Sequence, residues 1–505
     1  MVEINKFYRL ILNHKYIIII GILTLFAFIL RFNHLDYNSL WGDEIATVLF
    51  LSGGIADVWN IMFIDGRPTP PLYYALEALV LDIVGVNEFS VRLLSALFGS
   101  LSIPLMYLLG KKILCEKVGL ISATLLTVSI FHIYYSQEGR CYALLLFLFI
   151  LVTLSYIKVL ESNKIQHWIL FSALSALVVW THFIGVIGIG TLLLHYVVTL
   201  IQTKQYHKLK GVGISIMCLG LFVSPLVIVL GLVGSSVASN ASIYGLGISF
   251  LPQTFLKMFC LYFNKYTMTG LAMVAVLLLL WLFGMYATYK SNNKVFTLVG
   301  CMCVIPLLFG EIVNIIGFDV WYNHFIYVLP FYLLGISSTS IISNKSLKII
   351  TTFLLIVSII LYACIGLPTY YGSYTKDDWR SVGNYLYDKT EDGDFVFGMN
   401  EYYYDPLLDN TTLLSLSLDT INRISNNNEN HSSMYIVFSF DLSENNITNK
   451  ATSGSLYLDK LITKIDTAGY GNEELIKWIT KNTKEIALFN SKSPYHEIHI
   501  HKVTP

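Results

Sequence analysis

The chain has 505 residues, of which 55% are hydrophobic and 13% are charged, and its mean hydropathy is +0.62. An ordinary soluble domain carries about 25% charged residues, so this composition excludes a soluble globular protein. The formal net charge is zero, which gives no reason to expect nucleic acid as a partner. The sequence predicts a multi-pass membrane protein that is surrounded by membrane lipids.

Apolar segments recur along the first three quarters of the chain, each near the length of about 20 residues that crosses a bilayer. We expect the first segment to be retained, because the bulky stretch "RFNHLDYNSLW" follows it where a signal peptide would have a small-residue cleavage site. The fifth and sixth segments must form a tight hairpin at "WTHFIG". The predicted transmembrane helices number eleven and cover residues 16–33, 90–110, 118–135, 141–158, 168–181, 183–201, 211–233, 268–288, 295–316, 325–342 and 349–367.

The charges of the connecting loops predict the orientation in the membrane. With the N-terminus in the cytoplasm, most of the lysines between the apolar segments fall on the inner side, as the positive-inside rule requires. The outer loops between helices carry Arg67, Arg92 and Arg140 instead. Because arginine binds phosphate or carboxylate with a planar fork of donors, these outer arginines are candidates for substrate binding.

Three outer segments are too long to be simple connectors. Residues 34–89 contain "GGIADVWNIMF" and "PPLYYALEALVLDIVG", which are typical of helices that lie along the interface. Residues 234–267 are rich in Gly, Ser, Asn and Tyr. The third segment, residues 370–505, alternates helical patterns with the strand-like stretches "DFVFGM", "MYIVFSF" and "EIHIHKV". We therefore predict a transmembrane domain over residues 1–369 and a small extracytoplasmic α/β domain over residues 370–505.

An acidic pair, Asp43 and Glu44, stands in the stretch "SLWGDEIATVLF" just beyond the first apolar segment. Ionisable side chains at a membrane edge are costly, which makes them functional candidates. We predict a catalytic role for Asp43, with Glu44 either sharing that role or supporting Asp43.

Further polar residues collect on the predicted outer side of the membrane. They are Arg67, Arg92, His132, Gln137, Glu138, Arg140, His182, Glu311, Asp319 and His324. This distribution predicts a water-accessible cavity that opens outward, in which arginines would bind a phosphate and a carboxylate would accept a proton from an attacking hydroxyl. Structural alternatives stand beside these roles: an ion pair between Arg140 and Glu138, hydrogen-bonding roles for His132 and His182, and a buried ion pair for Glu311.

Five motifs occur in a fixed order: "SLWGDEIAT", "PPLYY", "VRLLSALFGSLSIPLMYLLGKKI", "HIYYSQEGRCYAL" and "WTHFIG". Together they resemble the GT-C membrane glycosyltransferases of the protein O-mannosyltransferase and aminoarabinose-transferase type. The resemblance covers residues 1–200 well and is looser in the later helices, and "KDDWRSVGNYL" is similar to the segment that follows the membrane domain in that family.

The resemblance implies an inverting transfer of a sugar from a polyprenyl-phosphate-linked donor to an acceptor hydroxyl on the outer face. It implies that Asp43 is the general base, with Glu44 beside it, and that Arg140 binds substrate with Gln137 and Glu138 as neighbours. The other candidates for substrate binding are Arg67, Arg92, His182 and His324. No residue is assigned to a metal, although a divalent ion stays open because only some members of this superfamily use one.

Two departures from the family pattern bear on the donor. Thr69 stands where family members often have a histidine before Pro-Pro, and Asn323-His324 stands where they often have an Arg-Tyr pair. The sequence therefore leaves the sugar open, and it leaves the acceptor open among lipid, glycan and protein. A transporter or flippase of a lipid-linked substrate is the alternative function, and the lack of an internal repeat weighs against it.

Overall fold

The computed structural model describes residues 2–51, 53–58, 69–237, 250–260, 268–315, 320–372, 376, 378–391, 394–398, 412–415, 433–441, 481, 483–490 and 496–503. The chain forms two compact units. The first contains Met1–Leu35 and Phe50–Tyr371, and the second contains Asp36–Leu49 and Gly372–Pro505. Residues 36–49, which the sequence places with the transmembrane domain, thus belong to the second unit.

The described α-helices are α1 Val2–Phe32, α2 Gly42–Phe50, α3 Leu72–Val84, α4 Glu88–Ile113, α5 Glu116–Val128, α6 Ile130–Ser136, α7 Tyr142–Ser162, α8 Ile165–Thr181, α9 Gly185–Gln202, α10 Leu209–Val237, α11 Phe250–Cys260, α12 Met268–Ser291, α13 Asn293–Ile315, α14 Leu329–Ser337, α15 Lys345–Leu361, α16 Leu367–Tyr371 and α17 Trp379–Lys389. 3₁₀ turns at Tyr322–Val328 and Ser338–Ile341 flank α14, and a π turn at Tyr362–Gly366 joins α15 to α16.

The predicted helical membrane architecture is confirmed. Nine described helical segments are long and apolar enough to cross a membrane, and the bent pair of α5 and α6 makes a tenth. The remaining predicted span, residues 168–181, corresponds to α8, an apolar helix of 17 residues that falls just below that length. The break between helices that the predicted hairpin requires is present, because α8 ends at Thr181 and α9 begins at Gly185.

Small residues let the helices of the first unit approach closely. Where α4 packs against α5, a Cβ on Gly110 would lie 2.6 Å from the Cα of Gly119, so only glycine fits there. Buried serines on the same helices, such as Ser100 and Ser122, return their hydroxyls to carbonyls of their own helix. Close backbone approach of this kind is how helices associate in a membrane, where burial of apolar surface gives little driving force.

Arg31 fills the break between α5 and α6, which bend by 61°. Its side chain is fully buried and donates to the carbonyls of Leu126 and Thr127 at 3.0 and 3.4 Å. It also lies 2.7 Å from Nδ1 of His132. The last carbonyls of a helix have no partner within the helix and carry partial negative charge. A cation from α1 therefore satisfies the carbonyls that the bend exposes.

The second unit contains α17 and a five-stranded sheet of the order β2-β1-β3-β5-β4. The strands are β1 Phe395–Gly398, β2 Thr412–Ser415, β3 Met434–Asp441, β4 Thr483–Asn490 and β5 His496–Val503. β1 pairs in parallel with β2 and β3, whereas β5 is antiparallel to β3 and β4. The sequence predicts β1, β3, β5 and α17, and it misses the short β2 and the partly polar β4. The predicted helices "LYLDKLITKID" and "NEELIKWITKN" lie outside the described residues, apart from Lys481.

We expect Arg31→Met to lower the free energy of unfolding by roughly 2–5 kcal/mol, because it leaves buried carbonyls without donors. Lys117→Met, which removes an exposed cation from α5, is the matched control and should change stability by less than about 0.5 kcal/mol. Thermal unfolding of the purified chain in detergent, followed by tryptophan fluorescence, measures both. Equal midpoints for the two variants would contradict the role of Arg31 at the bend.

Candidate functional site

The acidic pair lies in the first turn of α2, and its two members have different surroundings. Glu44 is fully buried, and its Oε2 accepts the backbone N–H of Trp41 at 3.3 Å. This is the arrangement by which an acid at the third helical position caps the helix start. Asp43 is only partly buried, and its backbone carbonyl accepts the hydroxyl of Thr47 at 2.9 Å. Of the two acidic residues, Asp43 is therefore the more exposed.

The segment before α2 is fastened to the C-terminal part of the second unit. The backbone N–H of Arg380 donates to Oγ of Ser39 at 3.1 Å, and its guanidinium donates to the carbonyl of Asp36 at 3.0 Å. Nζ of Lys376 lies 4.5 Å from the ring centre of Trp41, over its face. Within this unit, residues near α17 therefore hold the turn that presents Asp43.

Arg140 lies in the turn between α6 and α7 in the first unit, and two neighbouring helices contact it. Its carbonyl accepts the hydroxyl of Ser95 on α4 at 2.9 Å. Its guanidinium lies 6.0 Å from the ring centre of Tyr74 on α3, within the range of a cation–π contact. The guanidinium is thus directed by an aromatic ring while the backbone of the turn is held by α4.

Two histidines from different helices meet beside Arg140. The rings of His182, after α8, and His324, before α14, have centres 4.7 Å apart. Tyr142 lies 6.2 Å from each ring, and Arg140 is close enough to act electrostatically on both. We call Arg140, Tyr142, His182 and His324 the arginine–histidine cluster.

Backbone hydrogen bonds select the same tautomer for both histidines. Nδ1 of His182 accepts the N–H of Ile184 at 3.2 Å, and Nδ1 of His324 accepts the N–H of Trp321 at 3.3 Å. A ring whose Nδ1 accepts a hydrogen bond carries its proton on Nε2. The cluster therefore contains a guanidinium and two imidazole Nε2–H groups, all of them donors, and this is a combination that suits an anion.

His182 is uncharged at neutral pH. Removal of its ring from water lowers its pKa well below the usual value, and the neighbouring His324 and Arg140 lower it further. Desolvation and nearby positive charge both disfavour the imidazolium form. The positive charge of this part of the cluster is therefore carried by Arg140, and the imidazole contributes a neutral hydrogen-bond donor.

Other predicted site residues serve the protein's own backbone. Arg92 is 2% exposed and donates to the carbonyl of Leu35 at 2.8 Å. Nε2 of Gln137 donates to the carbonyl of Asn33 at 2.6 Å, and its Oε1 accepts the hydroxyl of Tyr370 at 2.6 Å. Glu138 is buried. The structure thus places Gln137 and Arg92 in contacts that join loop to helix.

Three more positions complete the set of candidates. Arg67 and Asp319 lie outside the described residues. Glu311, on α13, accepts the backbone N–H of Leu251 at 2.9 Å and so binds the start of α11.

Sequence reasoning missed Tyr74 as a partner of Arg140, although the paired tyrosines after Pro-Pro at the start of α3 are a signal that could have directed attention there.

Metal binding has no support from the side chains that the structure describes. Among them there is no group of three or more His, Cys, Asp or Glu residues that could hold an ion. The divalent ion that the sequence leaves open stays a prediction.

Comparisons with known proteins bear on the fold and on part of the sequence. The sequence pattern of the family described as "Dolichyl-phosphate-mannose-protein mannosyltransferase" matches residues 68–229, which include Arg92, Arg140 and His182. ArnT from Cupriavidus metallidurans bound to undecaprenyl phosphate superimposes with a TM-score of 0.58 at 10% identity, over 96% of this chain and 98% of ArnT. The chain has the GT-C fold.

A second solved structure supports this assignment. The archaeal oligosaccharyltransferase AglB from Archaeoglobus fulgidus, in complex with an inhibitory peptide and a dolichol-phosphate, gives a TM-score of 0.54 at 10% identity over 96% of this chain and 74% of AglB. A search of curated proteins finds no match. The fold that the five motifs predict by resemblance is therefore confirmed.

We expect the stability of this protein to fall as the pH drops below about 6.5, the pKa of an unperturbed histidine. His182 has a lowered pKa when folded, so the unfolded chain binds the proton more readily and stability is lost at acid pH. The loss of folding stability that His182 causes approaches about 1.4 kcal/mol for each pH unit below that value. His182→Asn keeps an acceptor for the Ile184 N–H and removes the titration.

The measurement is thermal unfolding at pH 7.5 and pH 5.5. The decrease in midpoint between the two values should be smaller in His182→Asn than in the wild type. A decrease of the same size in both proteins would show that His182 does not titrate as its surroundings require.

Proposed function

We propose that this chain is a glycosyltransferase that moves a sugar from a polyprenyl-phosphate-linked donor to an acceptor hydroxyl. The observation that carries the proposal is the arginine–histidine cluster, in which Arg140 lies near two neighbouring histidines that carry their protons on Nε2. The cluster occurs in a fold for which ArnT with undecaprenyl phosphate and AglB with a dolichol-phosphate are solved examples. A lipid-borne phosphate is the anion for which we propose these donors.

Arg140 has the main role in binding the donor. Its planar fork gives two parallel hydrogen bonds to a phosphate, and its contact with the ring of Tyr74 orients it. His182 and His324 add neutral donors from two other helices. As the bond between sugar and phosphate breaks, negative charge grows on the leaving phosphate, and preorganised donors stabilise that charge without reorganisation.

Asp43 is the proposed general base. It is the partly exposed member of the acidic pair, whereas Glu44 is buried and caps α2. The acceptor oxygen attacks the anomeric carbon and forms the new bond, and its proton passes to the carboxylate of Asp43. The bond from that carbon to the phosphate oxygen breaks, and polyprenyl phosphate leaves with the electron pair. Direct displacement of this kind inverts the configuration of the sugar.

We infer the side of the membrane on which the proposed site lies from the charges of the connecting loops. The lysine-rich loops favour an N-terminus in the cytoplasm, so Arg140, in the loop after the third span, lies on the extracytoplasmic side in this proposal. We assign residues 370–505 to the same side, with the acceptor being a lipid, a glycan or a protein.

We expect Asp43→Asn to reduce transfer by about a thousandfold, within the range typical of the loss of a general base. Glu44→Gln keeps an oxygen acceptor for the Trp41 N–H and should retain most of the activity. Cells that lack the protein are rescued with the wild type or with either variant, and their polyprenyl-phosphate sugars are compared by mass spectrometry. A lipid-linked sugar should accumulate in the null strain and in Asp43→Asn, and it should return to the wild-type level in Glu44→Gln.

Two results contradict the proposal. Full rescue by Asp43→Asn removes that residue from the mechanism. A null strain with unchanged lipid-linked sugars argues against a transferase. Accumulation of the lipid on the cytoplasmic side alone would favour the transport of a lipid-linked substrate.

We expect Arg140→Lys to weaken the binding of undecaprenyl phosphate to the purified chain by roughly tenfold, because an ammonium keeps the charge and loses the bidentate fork. Arg140→Gln should weaken it further, since the charge is also lost. The affinity of each variant is measured by calorimetry at fixed ionic strength. The comparison separates the contribution of the bidentate hydrogen bonds from that of the positive charge. Lys117→Gln, which removes an exposed cation from α5, is the control. Unchanged affinity in Arg140→Gln would contradict phosphate binding at this residue.

A further inference from the structure

The backbone of Arg140 is held by a chain of buried hydroxyl groups. Oγ of Ser95, on α4, donates to the carbonyl of Arg140 at 2.9 Å. The hydroxyl of Tyr73, on α3, lies 3.0 Å from the same Oγ. Both side chains are completely buried, so no solvent competes for these hydrogen bonds.

The direction of the two hydrogen bonds follows from counting protons. A serine hydroxyl has one proton, and Ser95 gives it to the carbonyl of Arg140. The hydroxyl of Tyr73 must then donate to Ser95. Burial raises the pKa of Tyr73 well above its usual value, and the nearby Glu77 raises it further, so the phenol keeps the proton that it donates.

The same turn also contacts α4 at Gly139. A Cβ on Gly139 would lie 2.7 Å from the carbonyl oxygen of Val91, which leaves room only for glycine. Val91 and Ser95 are four residues apart and therefore share one face of α4. That face touches the backbone of residues 139–140, so α4 determines where the turn lies.

The consecutive residues Tyr73 and Tyr74 act on different parts of Arg140. Tyr74 faces the guanidinium at 6.0 Å, and Tyr73 reaches the backbone through Ser95. The ring planes of the two tyrosines are nearly perpendicular, at 89°. One short stretch of α3 therefore orients the arginine at both ends.

We propose that Tyr73 and Ser95 are positioning residues for Arg140, and that their hydroxyl relay sets the affinity of the site for the phosphate of the lipid donor. This inference rests on the proposed function, because it takes Arg140 as the phosphate-binding residue. Neither hydroxyl contacts the phosphate itself. Both act by fixing the backbone from which the guanidinium extends, and a displacement of about 1 Å is enough to weaken a preorganised site.

The test is the affinity of the purified full-length chain for undecaprenyl phosphate. Tyr73→Phe removes a single oxygen, and Ser95→Ala removes the other hydroxyl. Each should weaken binding roughly three- to tenfold, the usual range for the loss of one hydrogen bond. Ser95→Thr keeps the hydroxyl and should restore the affinity. Ser100→Ala is the matched control, since that buried serine on α4 donates to the carbonyl of Ala96 in its own helix.

A double-mutant cycle with Arg140→Ala distinguishes positioning from a general structural role. Once Arg140 is replaced by alanine, Ser95→Ala and Tyr73→Phe should cause no further loss of affinity. The same additional loss in that background, or unchanged affinity in both single variants, overturns the inference. If Ser95→Ala does not fold, the cycle is run with Tyr73→Phe alone, and it decides the question in the same way.

Failure of the proposed function gives a different result. A wild-type chain that does not bind undecaprenyl phosphate, or an Arg140→Ala variant that binds it as well as the wild type, overturns the phosphate site and the positioning role with it. Weak binding by Arg140→Ala together with wild-type affinity in Tyr73→Phe and Ser95→Ala overturns only the positioning role.

Discussion

The turn between α6 and α7 is the constraint on which the first unit depends. Its residues contact three other parts of the chain through hydrogen bonds: Gln137 binds the carbonyl of Asn33 after α1 and the hydroxyl of Tyr370 on α16, and the carbonyl of Arg140 binds Ser95 on α4. Backbone groups in a buried turn must find partners, because each unpaired group costs about 1–3 kcal/mol. The hydrogen bond from Ser95 pairs the carbonyl of Arg140 and thereby also fixes the position of that residue.

Two arginines of the first unit differ in burial and in surroundings. Arg31 is fully buried and donates to the carbonyls of Leu126 and Thr127 at the α5–α6 bend. Arg140 is partly exposed, its guanidinium contacts an aromatic ring, and two histidines with Nε2–H donors lie beside it. The guanidinium of Arg31 donates to carbonyls and stabilises the fold, whereas we propose that Arg140, beside further donors, binds an anion. Substitution of Arg31 and of Arg140 should accordingly affect different measurements, stability for the first and ligand affinity for the second.

The acidic pair is divided by the geometry of a helix start. A carboxylate at the third helical position reaches back to the N–H before the helix, and Glu44 does so toward Trp41. Asp43, one residue earlier, is partly exposed. The neighbouring positions therefore have different surroundings, although they are chemically alike and adjacent in sequence. We propose catalysis for Asp43, the more exposed member of the pair.

The sequence by itself determined the membrane class and the approximate positions of the apolar helices, because apolar length is a local property that is independent of partners. It also predicted an apolar segment where α5 and α6 lie, and a hairpin at "WTHFIG". Only the tertiary structure decided that His182 and His324 meet, that α5 and α6 bend around Arg31, and that Arg92 and Gln137 bind backbone carbonyls. These contacts join residues far apart in the chain, and no local pattern specifies which distant donor reaches which acceptor. The same holds for the segment of residues 36–49, which belongs with the C-terminal unit because Arg380 binds Ser39 and Asp36.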